Sequence, residues 1–263
     1  MQGWERRKIE TLMELIREGD YILIRFKEKR YLKKVESDKN FSYKGGILHY
    51  KELIGKPFGI TIGDLQIFKP TLEEIILYGI KRETQIIYPK DTFYIAKKLN
   101  LSKGKVILEF GTGSGAATMV FSSCVGSSGK VYTFEREERI FKVAKRNLTK
   151  FGFTSNVEMF NEPFNPEKVK GIKFDAAFVD VREPYPYVED VWKVLKPSAP
   201  VGFLLPTANQ VQELLKVLKP LFGDIEIMEI LTRYYKANPE RFRPEDTMIG
   251  HTAYLLFAKK LSK

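Results

Sequence analysis

The chain has 263 residues, with 44 Lys+Arg against 33 Asp+Glu for a net charge of +11, one cysteine and two histidines. That length fits one large domain or a main domain with a small appendage, and 43% hydrophobic residues suffice for a full core, which excludes disordered and collagen-like classes. The lone Cys124 excludes a disulfide framework and any multi-cysteine metal site, His49 and His251 are too few for a histidine-based one, and no run of about 18 apolar residues is present to span a membrane.

The start, MQGWERRKIE, is charged and has no apolar signal core, so a cytoplasmic protein without membrane attachment is expected. The excess of positive charge would concentrate a polyanion such as nucleic acid, although Lys/Glu-rich surfaces also lean basic without such a partner. Ile9, Leu12, Met13, Leu15 and Ile16 recur at helical spacing and predict a helix that ends at Gly19. The period then changes. Residues 21–26 and 30–35 read as short strands around a charged turn, and glycines at 45, 46, 55, 59 and 63 punctuate further short strands at 59–62 and 65–68. Residues 1–70 are therefore expected to form a small β-rich domain.

From Pro70 onward the texture is α/β. The pattern Thr71-Leu-Glu-Glu is a capping box that opens a helix, and Asp91 opens another that runs to Leu99. Strands at 106–110, 130–134, 157–160, 174–180 and 201–205 alternate with helices at 116–124, 137–150, 187–195 and 209–218, the signature of parallel βαβ units. Segments 224–231 and 252–260 read as a final edge pair of strands. Residues 71–263 are thus expected to form one α/β domain with a mostly parallel sheet and an antiparallel edge.

The most informative stretch is KVILEFGTGSGAAT at 105–118, where a buried strand runs into Gly111, Gly113 and Gly115 and then into a helix. Glycines let the backbone turn tightly and approach a ligand that a Cβ would exclude. Alone the loop could serve a dinucleotide or a mere tight turn. Glu109 on the last strand residues before the loop narrows the choice, and so does Glu135 at the end of the next strand, where a carboxylate can accept hydrogen bonds from both ribose hydroxyls. No GxxxxGK[ST] occurs, so no triphosphate cradle is indicated.

The stretch VILEFGTGSG resembles the S-adenosylmethionine loop of class I methyltransferases. Three further stretches are similar to the tRNA (adenine-58-N1)-methyltransferase family: KRETQIIYPKD at 81–91, KGGILHYKELIGK at 44–56, and MIGHTAYL at 248–255. Four matches in the correct order, from about residue 44 to residue 255, identify the chain as a member of that family. The resemblance implies a class I, Rossmann-like methyltransferase fold and a homotetramer that moves methyl from S-adenosylmethionine to N1 of a T-loop adenine in tRNA. It implies a donor site of Gly111, Thr112, Gly113, Ser114, Gly115, Ala116 and Ala117, with Glu135, Arg136, Glu162 and Asp180. Asp180 would stand between donor and base, and Tyr88 would line the base pocket. Lys81, Arg82 and Lys90 beside that pocket, with Tyr185, would contact the RNA. The family usually reads D-[LM]-x-x-P-W where this chain has Asp180-Val-Arg-Glu-Pro-Tyr, so Arg182 and Tyr185 depart from the pattern. The alternatives are a methyltransferase of another acceptor, protein or small molecule, and a tRNA-binding subunit without catalysis. Asp180 has a bland reading too, as a helix N-cap.

Overall fold

The protein is represented by a computed structural model that describes residues 14–262. The chain divides at Ile80 into two compact units.

In the first unit, β1 (Tyr21–Phe26) pairs with β2 (Lys29–Lys34), β3 (Asn40–Tyr43) with β4 (Gly46–His49), and β5 (Ile60–Ile62) with β6 (Leu65–Phe68), all antiparallel. The larger sheet has the order β2-β1-β6-β5. Alternation decides which side is core: Leu65 and Ile67 of β6 are buried while Gln66 and Phe68 between and after them are exposed. They join Ile22, Ile24, Val35, Phe41 and Leu53 in one apolar cluster. The helix α1 (Leu72–Tyr78) packs against β2. Its capping box is complete, because Thr71 Oγ1 accepts from the Glu74 amide at 3.3 Å and the Glu74 carboxylate accepts from the Thr71 amide at 2.8 Å. The boundary read from the sequence, at residue 70, falls ahead of this helix.

The expected amino-terminal helix is corrected where it can be seen. Leu15 forms a bridge with Pro57, Ile16 donates to the Lys56 carbonyl and accepts from the Gly55 amide, and Gly19 turns with φ 88°. Tertiary pairing that buries Ile16 completely outweighs the local helical spacing. Residues 1–13 of that expected helix lie outside the described residues.

The second unit is built on a seven-stranded sheet. Its strands are β7 (Val106–Phe110), β8 (Lys130–Phe134), β9 (Val157–Phe160), β10 (Ala176–Val179), β11 (Pro200–Leu205), β12 (Phe222–Met228) and β13 (Tyr254–Lys260), in the order β12-β13-β11-β10-β7-β8-β9. All neighbours from β11 to β9 are parallel, whereas β13 runs antiparallel to both β11 and β12. Burial is greatest at the centre of the sheet, as in β10, where every residue is apolar and buried, and falls toward the edge, where β9 is only half-buried. Helices α2 (Pro89–Lys98), α3 (Ala116–Val125), α4 (Glu138–Lys150), α5 (Val188–Val194) and α6 (Ala208–Leu218) flank it. The expected strand 174–180 shortens to β10, and the segment 224–231 shifts to β12. Half-buried Cys124 lies on α3, and burial pushes its thiol above the ordinary range.

Successive strands β7, β8 and β9 move outward in one direction, and the chain then returns to place β10 on the other side of β7. The strand order therefore reverses between β7 and β10. In open α/β sheets ligands bind outside the carboxyl ends of the strands at that switch point. Gly111 follows β7 and Asp180 follows β10, so the topology brings the two together.

Candidate active site

The loop after β7 is held from the next strand. The amides of Gly111 and Thr112 donate to the Phe134 carbonyl at 2.9 and 3.3 Å, the Gly113 amide donates to Glu135 Oε2 at 3.0 Å, and the Thr112 and Thr133 hydroxyls meet at 2.6 Å. Gly111 has φ 81°, and a Cβ there would overlap the backbone carbonyl of Asp180. Only glycine lets the ends of β7 and β10 approach this closely. Gly115, also left-handed at φ 84°, caps α3. From α4 the buried Asn147 amide reaches the Ser114 carbonyl at 2.9 Å and the Lys81 carbonyl at 2.8 Å, and its oxygen accepts from the Lys81 amide at 3.0 Å. One side chain thus ties the 81–88 segment to the glycine loop.

A cavity of about 440 Å³ opens at the switch point, within the roughly 300–1,000 Å³ of small-molecule clefts. Gly111, Glu135, Arg136, Glu162, Phe164 and Asp180 contribute to its wall, with Arg182 and Tyr187 beside them. Glu135 accepts from two amides, Gly113 on one oxygen and Glu137 on the other, both at 3.0 Å. Behind it Glu109 is fully buried in β7. Its Oε2 accepts from Thr118 Oγ1 at 2.7 Å, and its Oε1 has no partner among the described residues. Burial first, then the charges of Asp180 and Glu135, push the Glu109 carboxyl up to about 8. Burial and the Glu135 charge push Asp180 up to about 7. Among the described residues no lysine or arginine pairs with any of the three carboxyls. Glu135 and Asp180 in the cavity wall, with no counter-cation among the described residues, favour a positively charged occupant, whose charge would also draw the proton off Glu109 behind them.

A second cavity, of about 430 Å³, is lined by Gln85, Tyr88, Asp91, Asp180, His251 and Thr252, among others. Asp180 belongs to both walls. It caps no helix, since the next helical turn begins at Tyr185 with Pro184 in the cap position, so the N-cap reading is set aside. Tyr88 precedes Pro89 at the N-terminus of α2 and is the cap residue there without a side-chain cap bond. Proline in the first helical position pre-sets that turn, which aims the preceding residue out of the helix.

The other expected residues divide by geometry. Thr112, Ser114, Ala116 and Ala117 are buried in the loop and the first turn of α3 and line neither cavity, and Gly113 and Gly115 likewise belong to the loop rather than the wall. Lys81 and Arg82 are exposed outside both cavities, and Lys81 pairs with Glu83 at 2.9 Å. Neither Tyr185 nor Lys90 lines a cavity wall. Tyr185 and Tyr187 both pack against the core cluster, and of that 3-10 turn Pro186 and Tyr187, not Tyr185, line the cavity. Lys90 directs its ammonium inward, to the carboxylate of Asp91 at 2.8 Å, instead of outward to solvent. The sequence singles out Glu109 without giving it a role, and it does not mark Asn147, Phe164, Tyr187 or the wall role of His251. His251 sits in the GHTA match, and its Nδ1 and Nε2 lie 2.5 Å from Glu229 Oε1 and 3.0 Å from the Pro206 carbonyl oxygen. Both neighbours are acceptors, and the Glu229 contact above all raises the His251 pKa.

Residues 65–247 match the family described as tRNA methyltransferase complex GCD14 subunit. The crystal structure of tRNA (m1A58) methyltransferase TrmI from Aquifex aeolicus superposes with a TM-score of 0.87 at 52% identity, covering 95% of this chain and 100% of that one. A SAM-dependent O-methyltransferase from Thermotoga maritima superposes with a TM-score of 0.86 at 39% identity, covering 94% and 95%. The tRNA (adenine(57)-N(1)/adenine(58)-N(1))-methyltransferase TrmI of Methanocaldococcus jannaschii is 29% identical over 269 residues, 90% of this chain and 94% of that protein.

Proposed function

The chain belongs to the tRNA methyltransferase complex GCD14 subunit family, and on that premise we propose that it transfers methyl from S-adenosylmethionine to N1 of adenine 58 in the T-loop of tRNA. The single observation that carries this reading is that Asp180 stands in the wall of two cavities at once, one at the glycine loop and one beside Tyr88. A group so placed can touch a donor on one side and an acceptor on the other.

The residues fit the donor. The glycine loop, Glu135 and Glu162 offer a cradle for an adenosine, with Arg136 at its rim, and the carboxyls of Glu135 and Asp180, unpaired with any lysine or arginine among the described residues, suit a cation. When bound, S-adenosylmethionine supplies an electrophilic methyl on a sulfonium. The acceptor N1 already carries an in-plane lone pair, so no strong base is needed to create a nucleophile. Methylation at N1 places positive charge on the amidine formed by N1, C6 and N6. The Asp180 carboxylate, accepting from N6–H, stabilises that charge and can take the proton. Tyr88 packs against the base plane and holds N1 in line. A T-loop adenine must leave the stack to enter, and phosphate contacts from Lys81 and Arg82 offset that cost. The excess of positive charge steers the RNA. We further propose a cytoplasmic homotetramer. Exposed Leu231, Tyr234, Phe242 and Ile249 are the kind of apolar surface that association covers, and no helix among the described residues is long and apolar enough to cross a membrane.

The test is nuclease digestion and mass spectrometry of unmodified tRNA after incubation with protein and donor. N1-methyladenosine at position 58 is expected, and methyl on a protein or a small-molecule oxygen, as the likeness to an O-methyltransferase allows, would replace this reading. The charge state gives a second test. Glu109 and Asp180 have folded pKa values raised to about 8 and about 7, so ionising them costs the ligand-free fold stability. Its melting temperature is expected to fall as pH rises from about 5 to 8. A cation in the cavity favours the ionised forms. Donor Kd should therefore tighten over the same window, and titration calorimetry in buffers of different ionisation heat should show protons released on binding. Proton uptake, or pH-independent affinity, would remove the carboxyls from donor binding.

A further inference from the structure

Between β12 and β13 the chain makes a long excursion whose two feet, Glu229–Ile230 and His251–Thr252, stand beside the cavity shared by Tyr88 and Asp180. The Lys90 ammonium reaches both feet. It donates to the Ile230 carbonyl at 2.7 Å and to Thr252 Oγ1 at 3.0 Å, while both oxygens of Asp91 accept from it at 2.8 Å. The Thr252 hydroxyl also donates to Asp91 Oδ2 at 3.3 Å. The cluster is shielded, with side-chain exposures of 19% for Lys90 and 5% for Asp91. A second polar link joins the feet to each other, through His251 and the carboxylate of Glu229.

An ion pair withdrawn from water is a poor way to gain stability, because an apolar pair of the same volume does as well or better. What it provides is direction: an ammonium with its donors spent on four named acceptors permits one arrangement of three chain segments. Those segments supply Tyr88, Asp91, His251 and Thr252 to a single cavity wall. We propose that Lys90 is a positioning residue that locks both feet of the 229–252 excursion to the N-terminal turn of α2 and so sets the width of the pocket that receives the target base. The role rests on the reading of that cavity as the acceptor site. It replaces a phosphate contact, since the ammonium faces inward.

The test uses the full chain in three variants: Lys90→Met, Thr252→Val, and the double change Lys90→Met with Asp91→Asn, which leaves no unpaired buried carboxylate. Hydrogen exchange is expected to rise at amides 229–252 in each variant and to stay unchanged at 106–135, a readout that does not depend on the identity of the substrate. For Lys90→Met, kcat on tRNA is expected to fall about 100-fold while KM for tRNA and donor Kd hold within about twofold, because misplacement of the base affects alignment more than binding. Thr252→Val, which keeps the ion pair, should show the same pattern at about fivefold, and it carries the test if Lys90→Met does not fold. A raised KM with retained kcat, and a salt dependence of binding reduced by about one phosphate, would instead make Lys90 a phosphate contact and overturn the proposal. Unchanged exchange at 229–252 would overturn it as well. A wild-type protein that leaves N1 of adenine unmethylated would defeat the functional reading alone, with the exchange result still deciding the lock.

Discussion

Replacing Asp180 by alanine is expected to lower kcat on tRNA by about 1,000-fold while donor Kd weakens by less than about tenfold, since a group that stabilises charge developing in the transition state contributes mainly to turnover. The asymmetry follows from its place. Donor contacts come from a whole cradle, with Glu135 holding the glycine loop through the Gly113 amide and Glu162 across the cavity. Only Asp180 among these carboxyls also faces the Tyr88 cavity. A stability measurement separates chemistry from damage. The Asp180 carboxyl is raised to about 7 by burial and by Glu135, so above that pH its removal relieves an unfavourable charge. The ligand-free Asp180→Ala protein should therefore melt no lower than wild type at pH 8. Single-turnover methylation, donor calorimetry and a melting curve check the three parts. Unchanged turnover would remove Asp180 from the mechanism, and a large fall in melting temperature would make it structural.

The second large effect is expected from Gly111→Ala, which should weaken donor binding by at least about 100-fold and lower the melting temperature by several degrees. A left-handed φ of 81° strains any side chain, and here the new Cβ would also meet the Asp180 backbone carbonyl. Either β7 or β10 must give way at its carboxyl end, and with it the loop that Phe134 and Glu135 hold. Gly152→Ala is the control. Gly152 has φ 78° with nothing within 4 Å of its Cβ position, so it carries the backbone strain of about 1 kcal/mol without the collision. Equal donor affinity in the two variants would show that strain, not the approach of the two strands, explains the glycine.

Much of the second unit is legible in the sequence because its signals are local. Strands β7, β8 and β9 fall where apolar runs predict them, and α2 starts two residues ahead of Asp91 because Pro89 can open the helix at its first position. The capping box at Thr71 depends on residues three apart, and it is present. The amino-terminal segment is the counter-example. Its helical spacing is real, but an edge-to-edge pairing with residues 55–57 buries Ile16 and wins. The candidate site divides in the same way. The loop glycines and Glu135 announce themselves through motif spacing, whereas no spacing tells that Pro186 and Tyr187 of the 185–187 turn line the cavity and Tyr185 does not.

A parallel α/β unit with a glycine loop at the end of its first strand, a second β-rich region, an excess of positive charge and a resemblance to one methyltransferase family are all legible in the residue order alone. These depend on period, backbone freedom and composition, which are written within a few neighbouring residues. It takes the folded chain to bring Asp180 to two cavities and to turn the Lys90 charge inward. Thr252 lies 162 positions from Lys90 along the chain. No local pattern records such a meeting, which is set by the reversal of strand order at β7 and by the antiparallel return of β13 across the sheet.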